Sequence, residues 1–94
     1  MRKLLWDNDA WEEYLQWLEE DRKTLKRINK LLNDIRRDPF DGIGKPEALK
    51  DDLRGFWSRR INEEHRIVYS IDDNIIRIFS CKGHYTNKTD KDKD

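Results

Sequence analysis

Residues 55–69, GFWSRRINEEHRIVY, decide how this 94-residue chain folds. Phe56, Trp57, Ile61, Ile67, Val68 and Tyr69 are strand-forming residues on either side of the polar Asn62-Glu63-Glu64. They predict two strands, over 56–62 and 65–71, joined as a hairpin. Three arginines, Arg59, Arg60 and Arg66, are set into these strands. A charge on a sheet must face solvent, a partner or an anion, so the pairing register decides what each arginine can do. A two-residue Glu63-Glu64 loop would set Arg60 beside Ile67 on the core face. An odd-length loop or a bulge would set Arg60 opposite Arg66 on the open face and move Arg59 to the other side. The second arrangement is preferred because it leaves Arg60 solvated. Arg59 is read as an ordinary side chain in either case.

Working outward, Ile75–Lys82 predicts a third strand, joined to the second by Asp73-Asn74, residues that tolerate positive φ. That turn pairs Ile71 with Ile76, Tyr69 with Ile78 and Ile67 with Ser80 on an apolar face that would receive helices. Ser70 with Arg77, Val68 with Phe79 and Arg66 with Cys81 would then share the open face. Upstream, Leu25, Ile28, Leu31, Leu32 and Ile35 recur at helical spacing, as do Trp11, Tyr14, Leu15 and Leu18. Two amphipathic helices meeting at Asp21-Arg22 predict an antiparallel hairpin, with Asp7 or Asp9 capping the first. Lys3–Trp6 is a short apolar run suited to an edge or a central strand. The segment 38–46, DPFDGIGKP, holds both prolines and two of four glycines and reads as a structured loop. Residues 47–53 have room for a helical turn. The nine residues after Tyr85 contain nothing apolar and read as a disordered tail, leaving 1–85 as a single α+β domain.

Composition narrows the function. No apolar run could cross a bilayer, nothing reads as a signal peptide, and the lone Cys81 excludes an internal disulfide. A cytoplasmic protein is the expectation. Net charge is zero, yet the charges are segregated: 7–21 carry seven acids and no base, whereas 22–37 carry seven bases against Asp34 alone. A basic surface on a neutral protein suits a polyanion; the plainer reading is two solvated helix faces attracting each other. No phosphate-binding glycine loop, zinc spacing or nucleophile elbow is present. What remains is a carboxylate, His84 and arginines, a set suited to acid–base chemistry on a phosphate.

The motifs GKPEALK (44–50), GFWSRRINEEHRIVY (55–69) and CKGHY (81–85) together resemble the YoeB toxins of bacterial toxin–antitoxin pairs, within the RelE superfamily. The resemblance spans about Lys3 to Tyr85. It implies a compact RelE-like fold, β-α-α-β-β-β, with an antiparallel-rich sheet and a two-helix hairpin on one face. It also implies a ribosome-dependent endoribonuclease that cuts mRNA in the decoding site without metal or other cofactor. Partners would be the ribosome, mRNA and a cognate YefM-like antitoxin, with a homodimer among the candidate states. By resemblance Glu47 is the general base toward the 2′-hydroxyl, His84 the general acid toward the 5′-oxygen, and Arg66 the stabiliser of the pentavalent phosphate. Lys50 and Arg60 match supporting basic residues, and Tyr85 an aromatic beside the reacting nucleotide. Lys23, Lys26, Arg27 and Lys30 would grip ribosomal RNA. The rival expectation is a non-catalytic binder of the ribosome or of DNA gyrase. The joint presence of Glu47, Arg66 and His84 favours cleavage.

Overall fold

The computed structural model describes residues 1–84. Tyr85 and the expected tail lie outside the described residues. The elements run β1 (Lys3–Trp6), α1 (Asn8–Glu20), α2 (Arg22–Arg37), β2 (Glu47–Ala48), β3 (Trp57–Arg60), β4 (Arg66–Asp72) and β5 (Ile75–Ser80). One sheet is ordered β1-β5-β4-β3-β2, with β1 parallel to β5 and the other neighbours antiparallel. The fold is the expected α+β arrangement with one additional strand. A 3-10 turn at Asp51–Leu53 folds the chain back, so that Glu47 pairs with Ser58 and Ala48 with Trp57. Period-based reading misses β2 because two residues are too few to show alternation.

The helical hairpin covers one face. Leu25, Ile28, Leu31, Leu32 and Ile35 of α2 are all buried, against Ile67, Tyr69, Ile76 and Ile78 of the sheet. Asp21 separates the helices and caps α2, its carboxylate accepting from the Thr24 N–H at 3.1 Å. Midway along the hairpin Tyr14 donates to Asn29 at 2.8 Å. The stripe of α1 matches expectation in part: Tyr14 and Leu18 pack against the core, but Trp11 and Leu15 are exposed and Ala10 and Trp17 are the buried positions. Ala10 is small enough to let the helix approach the sheet, its carbonyl 3.6 Å from Cys81 Sγ. The Trp17 indole N–H donates to the Cys81 carbonyl at 2.8 Å. Asp7 is the N-cap of α1 by backbone conformation, but its carboxylate makes no capping bond and instead accepts from Nε and Nη2 of Arg77, each at 2.8 Å.

Register follows the predicted turn from Asp72 to Tyr69 and then departs. Tyr69 pairs with Ile78 but Val68 pairs with Ser80, so β5 carries one extra residue, a bulge. Past it the faces of β5 exchange. Cys81, expected opposite Arg66 on the open face, is buried in the helix-packed core. Burial and the nearby Glu13 push its thiol up to about 12, which makes it a packing group rather than a nucleophile.

The β3–β4 connection has the odd length preferred from the sequence. Arg60 pairs with Arg66, and Arg59 with Ile67. Arg59 therefore enters the core, where it is 0% exposed, and it is not an ordinary side chain. Its guanidinium pairs with Asp34 and donates to the carbonyls of Asp38, Asp41 and Ile43, while Nε donates to the Tyr69 hydroxyl at 3.1 Å. Tyr69 in turn donates to the Pro39 carbonyl at 2.7 Å. The 38–43 loop is wrapped around one buried cation. Gly42 is required there: a Cβ would fall 1.9 Å from Asp34 Oδ2, at a φ of 139°.

Candidate active site on the open sheet face

Antiparallel partners share a face, so the register places Glu47 beside Ser58 and Val68, and Arg60 opposite Arg66 in the next row. Three of the residues singled out from the sequence thus lie together on the side of the sheet away from the helices. Glu47 and Arg60 are exposed, while Arg66 is only 7% exposed. Its Nη1 donates to the carbonyls of Asn62 (2.7 Å) and His65 (3.1 Å), fixing the guanidinium against the β3–β4 loop. Burial and the facing Arg60 press the Arg66 pKa down, opposed by the charges of Glu63 and Glu47. An arginine remains protonated under such pressure, so the site holds two like charges side by side.

His84 is exposed and follows Gly83, whose carbonyl accepts from the Arg66 N–H at 2.9 Å. His84 is therefore tied to the start of β4, next in the chain to the anchored glycine. Lys50 is exposed just beyond β2, its carbonyl accepting from the Leu53 N–H at 3.0 Å. Tyr85 lies outside the described residues. On α2, Lys23, Lys26 and Lys30 are exposed. Arg27 is half-buried and donates to the carbonyls of Arg60 (3.1 Å) and Ile61 (3.3 Å), bracing the loop that carries the arginine pair.

Two residues escaped the sequence reading. Arg59 orders the loop that delivers Glu47, and Asp34, the lone acid on a basic helix, was the available signal for its partner. His65, whose Nδ1 accepts from the Gly83 N–H at 2.9 Å, had no signal beyond its nearness to Arg66. A concavity of about 720 Å³ lies elsewhere, lined by Leu5, Asp7, Asp9, Glu13, Arg77 and Phe79 among others and by none of the site residues. An extended polynucleotide needs a charged face and stacking surfaces rather than a deep pocket. Among the described residues, no three of His, Cys, Asp and Glu gather as a metal site would require.

This topology, with two helices on one face of a five-stranded mixed sheet and basic residues on the other, is that of the RelE-like toxins. A family model described as YoeB-like toxin of bacterial type II toxin–antitoxin system matches residues 6–85. Toxin YoeB of Escherichia coli strain K12 is 53% identical over 83 residues, covering 88% of this chain and 99% of that one. A heterotetrameric YoeB–YefM toxin–antitoxin complex from Staphylococcus aureus contains a chain that is 49% identical with a TM-score of 0.83, covering 90% and 99%. A YoeB dimer from the same organism is 49% identical, also at 0.83, covering 89% and 98%. The chain belongs to the YoeB toxin family and is the toxin of a toxin–antitoxin system.

Proposed function

We propose that this toxin is a cytoplasmic, ribosome-dependent endoribonuclease that cuts mRNA in the decoding site. The observation that carries the reading is the Arg60–Arg66 pair on the open face, in the row beside Glu47. Like charges directly opposite each other destabilise a sheet, a cost that is offset when an anion lies across them. A phosphodiester is such an anion, and the planar fork of arginine matches its oxygens.

In this mechanism Glu47 takes the proton from the 2′-hydroxyl, whose oxygen attacks the adjacent phosphorus. Arg66, steadied through Nη1 by the loop carbonyls, meets the charge that builds on the pentavalent phosphate, with Arg60 and Lys50 adding to the field. His84 gives its proton to the departing 5′-oxygen, leaving a 2′,3′-cyclic phosphate and a 5′-hydroxyl. Glutamate is a weak base toward an alcohol, so positioning and phosphate stabilisation must supply most of the acceleration. The ribosome contributes by presenting splayed single-stranded mRNA, and Tyr85 would stack on a base for about 1–3 kcal/mol. Lys23, Lys26 and Lys30 grip ribosomal RNA through its phosphates, with Arg27 bracing the loop. The partners are mRNA, the ribosome and a YefM-like antitoxin, as in the Staphylococcus aureus complex, and a second copy, as in the dimer from that organism.

The test is to incubate the purified chain with mRNA, with and without programmed ribosomes, and map the new ends. Cyclic-phosphate ends that depend on ribosomes are expected. Ribosome binding without new ends would replace the nuclease with a non-catalytic binder.

A further inference from the structure

The acid–base residues do not explain what holds His84 in place. After Ser80 the chain leaves the strand ladder, and Gly83 adopts a φ of 98° that only glycine takes readily. The Gly83 backbone is gripped on both sides. Its N–H donates to His65 Nδ1 at 2.9 Å, and its carbonyl accepts from the Arg66 N–H at 2.9 Å. His65 is itself immobilised. Its ring meets Trp17 edge-on, centroids 4.9 Å apart, and Trp17 is fixed by its bond to the Cys81 carbonyl. The His65 N–H donates to Asn62 Oδ1 at 2.8 Å, and its carbonyl accepts from Ile61 at 2.9 Å. An Nδ1 that accepts carries a lone pair, so the ring proton sits on Nε2, on the side of Glu64 Oε1 at 3.7 Å.

We propose that His65 is a positioning residue, whose Nδ1 lone pair holds the Gly83 N–H and thereby presents His84 beside Arg66 on the open face. This rests on the reading of His84 as the general acid. A proton donor must be held within roughly half an ångström of its working position. Misplacement by about 1 Å costs on the order of a hundredfold in rate. The single peptide link from Gly83 to His84 passes the anchor on directly.

Two substitutions in the full chain separate positioning from mere packing. His65→Phe keeps a ring against Trp17 and deletes the acceptor; His65→Asn keeps an acceptor near the place of Nδ1 and deletes the ring. The expected result is a cleavage rate at saturating ribosomes that falls about ten- to a hundredfold in H65F, with the half-saturating ribosome concentration unchanged. H65N should cleave faster than H65F although it melts at a lower temperature. Amide exchange at Gly83, followed by NMR without any RNA, should speed up in H65F and stay slow in H65N. Cleavage rates that simply follow melting temperature would overturn the proposal, as would wild-type Gly83 protection in H65F. If the native chain does not cleave at all, the nuclease reading fails, and the exchange measurement alone still decides whether His65 holds Gly83. Should H65N fail to fold, exchange in H65F decides the same point.

Discussion

At the scale of single residues, Arg59, expected to be an ordinary side chain, organises the loop that leads into the candidate site. Arg59 is buried on the core face, and its charge is met by Asp34, three loop carbonyls and the Tyr69 hydroxyl. Removing one partner of a buried pair strands the other, so Asp34→Ala should cost about 3 kcal/mol or more in a denaturant titration. Burial would raise the Asp34 pKa, but hydrogen bonds from the Ile43 N–H, Arg59 and Arg37 outweigh it and hold the carboxyl at about 2, below its ordinary 3.8. A carboxyl depressed in the folded state stabilises above its unfolded pKa and loses that contribution as pH falls through the folded value. Asp34 should therefore contribute about 2 kcal/mol above pH 4, draining away toward pH 2. Acid unfolding of Asp34→Asn should lack that limb. Arg59 was illegible because alternation assigns a face, not the acceptors waiting there; those come from a loop that sequence periodicity does not describe.

At the scale of elements, the buried stripe of α2 was legible because its five apolar positions are unbroken, whereas Asp21, read only as the turn between the helices, also proves to be the cap of α2. Asp21→Ala should lower stability by about 1 kcal/mol, measured as a shift in the denaturation midpoint. The stripe of α1 was right in part because its aromatics serve two surfaces: Tyr14 and Leu18 pack against the core and Trp17 enters it, whereas Trp11, stacked on Tyr14 with centroids 5.5 Å apart, is exposed. In the sheet, the odd β3–β4 connection was foreseen from the cost of burying Arg60. The bulge in β5 was not, since nothing in the Ile75–Ser80 alternation marks an extra residue, and Cys81 changed faces as a result. The exposed lysines of α2 give this element its own prediction. Reversing Lys23 and Lys30 together should weaken ribosome binding and lower the salt dependence of log K by roughly 1.4 to 1.8, for two lost phosphate contacts. An unchanged slope would remove α2 from the RNA interface.

For the whole molecule, the segregated charge of the sequence becomes a division of labour. The helical hairpin buries the core and shows its basic residues from α2, while the open face collects Glu47, Arg60 and Arg66 from three different strands. The Arg60–Arg66 pairing was available through register, whereas Glu47, on the strand that periodicity missed, joined them only through resemblance to the YoeB toxins. In the proposed function this face cleaves RNA. The direct measurement is the rate of mRNA cleavage on programmed ribosomes by the native chain and by Glu47→Ala, Arg66→Ala and His84→Ala, each shown to be folded. The expected result is a loss of about 10²–10⁴-fold for the acid and base variants, and a comparable loss for Arg66→Ala. Full activity in all three variants would remove Glu47, Arg66 and His84 from the chemistry.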